Sequence, residues 1–200
     1  MERSAIGNQT VVLASNNPGK LAEFRAYLLP LGFDLRSQNE FNVPEAAEPH
    51  RTFVENALEK ARHAARLTGL PALADDSGVC ANALGGKPGV DSAYYAGVPK
   101  SDVKNNQQLI ANLELHSDKS AYYYCALVYL RHADDPQPVI AEGRWDGSIV
   151  AVPSGTGGFG YDPYFYITEL QCSAAELNPE EKNRRSHRGQ ALRALIDKLR

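Results

Sequence analysis

Val11-Val12-Leu13-Ala14-Ser15-Asn16-Asn17-Pro18-Gly19-Lys20 is the stretch that decides the fold. Its apolar start reads as a short strand buried on both faces. Ser15 to Lys20 is a polar turn, and behind it Leu21, Phe24 and Leu28 share one face of a helix that ends near Pro30 and Gly32. Strand, polar turn and helix in that order form an α/β unit. Backbone N–H groups at the start of such a helix, together with its dipole, favour an anion. Lys20 adds a point charge there. The spacing G-x-x-x-x-G-K-S/T is absent, so this is not a Walker-type phosphate loop.

Downstream, residues 38–51 read as irregular and carry Glu40, Glu45 and Glu48. Thr52 to Glu55 matches a capping box, and the alanine-rich helix that it opens stops at Gly69 with Pro71 behind it. Pro71 to Ala74 reads as a second buried strand ending on Asp75-Asp76-Ser77-Gly78. In open α/β sheets ligands gather at the carboxyl ends of strands. Neighbouring side chains on extended chain point to opposite faces, so one aspartate can face a ligand while protein donors hold the other. Paired carboxylates are costly without a cation, and hard Mg²⁺ takes oxygen ligands while keeping several waters. Glu48 can supply a further oxygen.

The Gly- and Pro-rich stretch 82–100 reads as a long loop. Ser101 caps a helix with Leu109, Ile110 and Leu113 inward. Ala121 to Arg131 and Val139 to Val152 read as two strands joined by the turn Ala133-Asp134-Asp135-Pro136, most simply a hairpin. Gly155 to Pro163 is a glycine-dense turn in which Phe159 offers a flat face for a base. Asn178-Pro179 starts a short helix that carries Lys182. Ser186-His187-Arg188-Gly189 precede a last helix with Leu192, Leu195, Ile196 and Leu199 at core spacing. Arg188 can grip a phosphate or carbonyl oxygen, and His187 can donate to a carbonyl. Tyr122-Tyr123-Tyr124 and Trp145 read as sheet packing. The pattern predicts an α/β protein with a mixed sheet, bilobed around a cleft.

Composition narrows the function. Hydrophobic residues make up 43% and charged residues 22%, as in an ordinary globular protein. The formal net charge of −3 argues against bulk nucleic acid binding but not against one nucleotide in a local pocket. Cys80, Cys125 and Cys172 are far apart and form no CxxC pair, which points away from a zinc site or a disulfide framework and towards a reducing cytosol. The longest apolar run, Tyr122 to Leu130, is well short of the roughly 20 residues that span a bilayer. Residues 1–10 lack an apolar targeting core.

These blocks, in this order, resemble the inosine triphosphate pyrophosphatase family, and most of all its bacterial branch. The matching residues are Ser15 to Lys20, Thr52-Phe53-Val54-Glu55-Asn56-Ala57, Ala74-Asp75-Asp76-Ser77-Gly78, Leu84-Gly85-Gly86-Lys87-Pro88-Gly89-Val90 with Ser92-Ala93, Gly155 to Pro163, and Ser186-His187-Arg188-Gly189-Gln190-Ala191. The resemblance implies a long mixed β-sheet with flanking helices, two lobes around an active-site cleft, and a single nucleoside triphosphate pyrophosphatase domain over residues 1–200. It implies hydrolysis of ITP, dITP and XTP to monophosphate and pyrophosphate, which removes these nucleotides before they enter DNA or RNA. It also implies Mg²⁺ as cofactor, a small-molecule nucleoside triphosphate as partner, no nucleic acid or membrane partner, a homodimer, and a cytoplasmic location. By position, Ser15, Asn16, Asn17, Pro18, Gly19 and Lys20 would contact the triphosphate. Asp76 would be proton acceptor and metal ligand, and Ser77 would touch substrate. Phe159, Gly160, Tyr161 and Asp162 would meet the nucleoside, Lys182 the phosphates or base region, and His187 with Arg188 the base. Glu48 best matches the second metal ligand, with Glu45 as the alternative. A pyrophosphatase for other nucleotides and a non-enzymatic nucleotide sensor would use similar residues.

Overall fold

The computed structural model describes residues 9–200. Of residues 1–10, expected to lack a targeting core, residues 1–8 lie outside the described residues. Seven strands form one sheet: β1 (Gln9–Leu13), β2 (Phe33–Ser37), β3 (Ala72–Ala81), β4 (Ser120–Leu130), β5 (Val139–Ile149), β6 (Phe165–Ile167) and β7 (Cys172–Ser173), in the order β2-β1-β3-β4-β5-β6-β7. β1 runs parallel to β2 and to β3, with Val11 opposite Leu35 and Val12 opposite Ala72. β5 with β6 and β6 with β7 are antiparallel. The sheet is mixed, as the sequence predicts. The helices are α1 (Pro18–Leu28), α2 (Phe53–Thr68), α3 (Asp102–Leu113), α4 (Pro179–Arg185) and α5 (His187–Leu199).

Two compact units emerge. The first holds the described residues up to Asp76, with Ala126–Glu142 and Ala191–Arg200; the second holds Ser77–Cys125 and Gly143–Gln190. In the first, Thr52 caps α2 by accepting from the Glu55 N–H, and Gly69 ends it at φ 68°. Ala57, Ala61, Ala64 and Ala65 give α2 a small apolar face, which packs with Val12, Ala14, Ala72, Ala74, Val128 and Leu130. Small side chains let the helix lie close to the strands, and that closeness brings the polar residues of α2 to the aspartates of β3. The second unit has its own core, in which Tyr123, Trp145, Phe165, Leu109 and Leu113 are buried. Each such aromatic or leucine, once fully buried, contributes about 1.5–3 kcal/mol.

Four strands differ from expectation. β2 has no counterpart in the sequence reading. β6 and β7 fall in residues 164–177, to which the sequence reading assigns no element. β3 does not end on the aspartates: it continues through Asp75-Asp76-Ser77-Gly78 to Ala81, because Val79, Cys80 and Ala81 are buried and the carboxylates are held by Lys20 of α1 and by Lys60 and Asn56 of α2.

Candidate active site

The first unit gathers an acidic group around β3. Asp75 and Asp76 are 1% and 7% exposed. As extended backbone requires, they find different partners. Asp75 Oδ1 accepts from Lys20 Nζ at 2.9 Å. Asp76 Oδ1 lies 3.2 Å from Lys60 Nζ, and Asp76 Oδ2 accepts from Asn56 Nδ2 at 3.2 Å. Lys60 Nζ also binds Glu48. Asn56 and Lys60 are four residues apart on α2 and so share a face. The Asn56 amide is itself clamped by the backbone of His50, whose N–H donates to Oδ1 and whose carbonyl accepts from Nδ2. Glu45 is engaged elsewhere, accepting from Asn16 Nδ2 at 3.1 Å.

Burial pushes the Asp76 carboxyl above the usual carboxylate range. The Lys60 ammonium pulls it down, Glu48 and Asp75 add to the rise, and the Asn56 bond opposes it. Burial works against the charge of Lys60, but Asp76, Asp75 and Glu48 outweigh it and leave the lysine above its ordinary value.

The turn Ser15 to Lys20 is arranged around Asn17. Its Oδ1 accepts from the N–H of Gly19 at 2.9 Å and of Lys20 at 3.2 Å, while Asn17 N–H donates to Ser15 Oγ. Asn17 is thus the N-cap of α1, and its side chain holds these two first-turn amides. Pro18 and Gly19 are exposed.

The second unit gathers an aromatic and basic group. Asp162 is 4% exposed, and its Oδ2 accepts from Phe159 N–H and from Lys182 Nζ, both at 2.7 Å. Gly158, at φ +72°, is required here: a Cβ would stand 2.1 Å from Asp162 Oδ2. α3 pins the same loop, with Gly160 N–H donating to Asp102 and Asn106 Nδ2 donating to the Gly160 carbonyl. Phe159 stays 44% exposed, with Lys182 Nζ at 5.1 Å and Arg188 Cζ at 5.8 Å from its ring centre. That is an open aromatic face beside two cations. Arg188 Nη2 donates to Ser77 Oγ at 3.2 Å, and the ring of His187 stacks on Tyr123. Tyr161 is turned into the core, its hydroxyl donating to the Ser92 carbonyl.

Nine of the expected residues fall into two groups. Asp76, Glu48 and Lys20 lie with the acidic group. Ser77, Phe159, Asp162, Lys182, His187 and Arg188 lie with the aromatic one. The sequence reading missed Lys60 and Asn56 as members of the acidic group. Asn56 lies within the block Thr52 to Ala57 already singled out, and Lys60 lies four residues further along the same face of α2.

The acidic donor set suits a hard divalent cation. Asp76 and Glu48 already converge on one cation, the Lys60 ammonium, which stands where a metal with two carboxylate ligands would be expected. Among the described residues no three acidic, His or Cys side chains form a ready-made cage. Mg²⁺ needs none, because one or two carboxylates plus substrate phosphates and waters complete its shell.

The Ham1 family model matches residues 11–198. A Ralstonia nicotianae protein named dITP/XTP pyrophosphatase is 63% identical over 193 residues, covering 95% of this chain and 96% of its own. A Chromobacterium violaceum protein of the same name is 60% identical over 189 residues, covering 94% and 96%. The solved structure of a HAM1 protein from Coxiella burnetii superposes with a TM-score of 0.91 at 49% identity, covering 96% of this chain and 98% of that one. The resemblance read from the sequence blocks holds along nearly the whole chain, and the chain belongs to the Ham1 family.

Proposed function

We propose that this chain is a nucleoside triphosphate pyrophosphatase that hydrolyses deaminated purine nucleoside triphosphates (ITP, dITP and XTP) to the monophosphate and pyrophosphate. It would thereby clear them from the pool before they enter DNA or RNA. The observation that carries this is the convergence of Asp76 and Glu48 on one nearly buried cation. The names of the 60–63% identical relatives support the substrate class. The two units act as one pyrophosphatase domain, in the cytoplasm, as a homodimer. No helix among the described residues is long and apolar enough to cross a membrane.

The reaction consumes one water. Its oxygen bonds to the α-phosphorus, the bond between that phosphorus and the bridging oxygen breaks, and pyrophosphate leaves. Asp76 and Glu48 would hold Mg²⁺, with Glu45 kept by Asn16 as its neighbour. When bound, Mg²⁺ would neutralise polyphosphate charge and polarise the reacting phosphoryl group. Asp76 accepts the proton of the attacking water. Lys20, with the Ser15 to Gly19 turn, binds the triphosphate, and Lys182 adds positive charge. Phe159 stacks on the base, with Gly160 and Asp162 lining the nucleoside and Tyr161 backing them. His187 and Arg188 donate to the carbonyl at position 6, and Ser77 holds Arg188 in place. Adenine carries an amino group there, which leaves those donors unpaired and costs several kcal/mol. The test is pyrophosphate release from ITP, dITP, XTP, dGTP and ATP with and without Mg²⁺. Deaminated purines should react fastest, and only with the metal. Preference for ATP or a pyrimidine would overturn the reading.

A further inference from the structure

Tyr123 sits on β4 in the core of the second unit, 7% exposed. Sequence alone marks it as packing, and it does pack: Phe165 and Trp145 lie at centroid distances of 4.4 and 6.5 Å. Two other contacts are polar or directional. Its hydroxyl donates to Asp162 Oδ1 at 3.1 Å. Its ring stacks on His187, with centroids 4.6 Å apart and planes 10° from parallel. One side chain on a sheet strand therefore touches both segments that carry the candidate base-reading residues.

The Asp162 contact matters because of what shares that carboxylate. Oδ2 is held by Phe159 N–H and Lys182, and Tyr123 supplies a donor to the other oxygen. A carboxylate bound at both oxygens cannot rotate about its last bond, so the Phe159 backbone and the Lys182 head are both fixed relative to the sheet. The phenol can be relied on as a donor, because burial, with the Asp162 charge behind it, pushes its pKa well above the ordinary tyrosine value.

We propose that Tyr123 is a positioning residue for base recognition, its hydroxyl setting Asp162 with Phe159 and Lys182, and its ring setting the plane in which His187 donates. This rests on the substrate reading above. Tyr123 touches the residues that meet the nucleotide rather than the nucleotide itself. The hydroxyl and the ring have separable tasks, and two substitutions separate them. Y123F removes the hydroxyl and keeps the stack. Y123L removes both.

The experiment measures kcat and KM for ITP and for ATP with the full chain, the two variants and Mg²⁺, alongside thermal melts. Y123F should raise KM for ITP by about tenfold, the scale of one bond to a charged group, with kcat within about twofold. It should keep the preference for ITP over ATP. Y123L should lower that preference by on the order of tenfold, since a misaligned donor no longer separates carbonyl from amino group. Y123F with unchanged KM overturns the proposal, and so does an equal loss of preference in both variants, which is what pure packing produces. If Y123L does not fold, the Y123F result decides. A parent chain that releases no pyrophosphate from ITP sinks the substrate reading and this proposal together; an active parent with an indifferent Y123F sinks this proposal alone.

Discussion

Lys60 Nζ lies 3.2 Å from Asp76 Oδ1 and also binds Glu48, so one ammonium joins two carboxylates. The side chains of Lys60 and Asp76 are only 12% and 10% exposed. Removing one partner of such a pair leaves the other charge buried and uncompensated, whereas a divalent cation would compensate it. Lys60→Met should lower stability without metal by about 2–4 kcal/mol. Mg²⁺ should then raise the melting temperature of the variant more than that of the parent, because binding to the folded state stabilises by mass action and the ammonium no longer competes. Thermal melts across a Mg²⁺ series measure this. Equal metal shifts in both proteins would mean that Lys60 is not standing in the cation position.

Asp76→Asn keeps the size and the bond to Asn56 through the side-chain carbonyl, but cannot take a proton from water. Turnover should fall on the order of 10²-fold or more, and the metal-free protein should also melt lower than the parent, because Lys60 then keeps only Glu48 as a carboxylate partner. Steady-state pyrophosphate release reads the first and a melt the second. Near-normal turnover would remove Asp76 from the role of proton acceptor.

Phe159 is half-exposed, with its backbone N–H tied to Asp162, so its ring can be truncated without disturbing the core. Phe159→Ala should leave stability unchanged and weaken nucleotide binding by about 1–3 kcal/mol, the worth of one base–aromatic stack. Calorimetric titration with inosine monophosphate measures it. Unaltered affinity would mean that the base lies elsewhere.

Much of this was legible in the sequence, and the failures share a cause. β1, α2, α3 and α5 follow apolar spacing with a recognisable cap or stop, which is local information. β2 reads Phe33-Asp34-Leu35-Arg36-Ser37, too short and half polar to stand out, and it exists because Val11 and its neighbours pair with it. β6 and β7 are shorter still. The continuation of β3 was hidden because Asp-Asp-Ser-Gly has turn chemistry; Lys20, Lys60 and Asn56, distant in sequence, hold it extended. The acidic residues of the site were visible because two adjacent aspartates after an apolar run are unusual. Lys60 was not, because a lysine in an alanine-rich helix looks like any solvated charge. Tyr123, the neighbour of Asp162 and His187, was hidden by the opposite disguise, since it also satisfies every rule for core packing.

Gly78 follows the site residues on β3, where a Cβ would meet the Gly89 carbonyl oxygen at 2.3 Å and Ser92 Oγ at 2.4 Å. Ser92 Oγ itself bonds Val79 N–H and the Gly89 carbonyl, so it has no free direction in which to yield. Gly78→Ala should destabilise by about 1–3 kcal/mol or more, as overpacking does. Gly69→Ala, where nothing stands within 4 Å and only the positive φ is strained, should cost about 1 kcal/mol. Urea midpoints of the two variants compare them, and a reversed order would refute the close-approach argument.

Asp135 ends the turn between β4 and β5 and makes four bonds. Its carboxylate accepts from Arg131 Nε at 2.8 Å and from Arg131 Nη2, and also from the N–H groups of Arg131 and Gln137. The Arg131 side chain, with these amides, holds the carboxyl far below its ordinary value in the folded protein. In the unfolded chain it returns to about 3.9. A depressed folded-state value means that the unfolded chain binds the proton first, so the contribution is complete above about pH 5 and is lost as the pH falls through and below 4. Asp135→Asn should therefore be less stable than the parent at pH 7, and the difference should shrink steadily towards pH 3. Urea midpoints at a series of pH values trace the two curves. Curves that stay parallel down to pH 3 would show that the carboxylate charge contributes nothing and that only the shape of the turn matters.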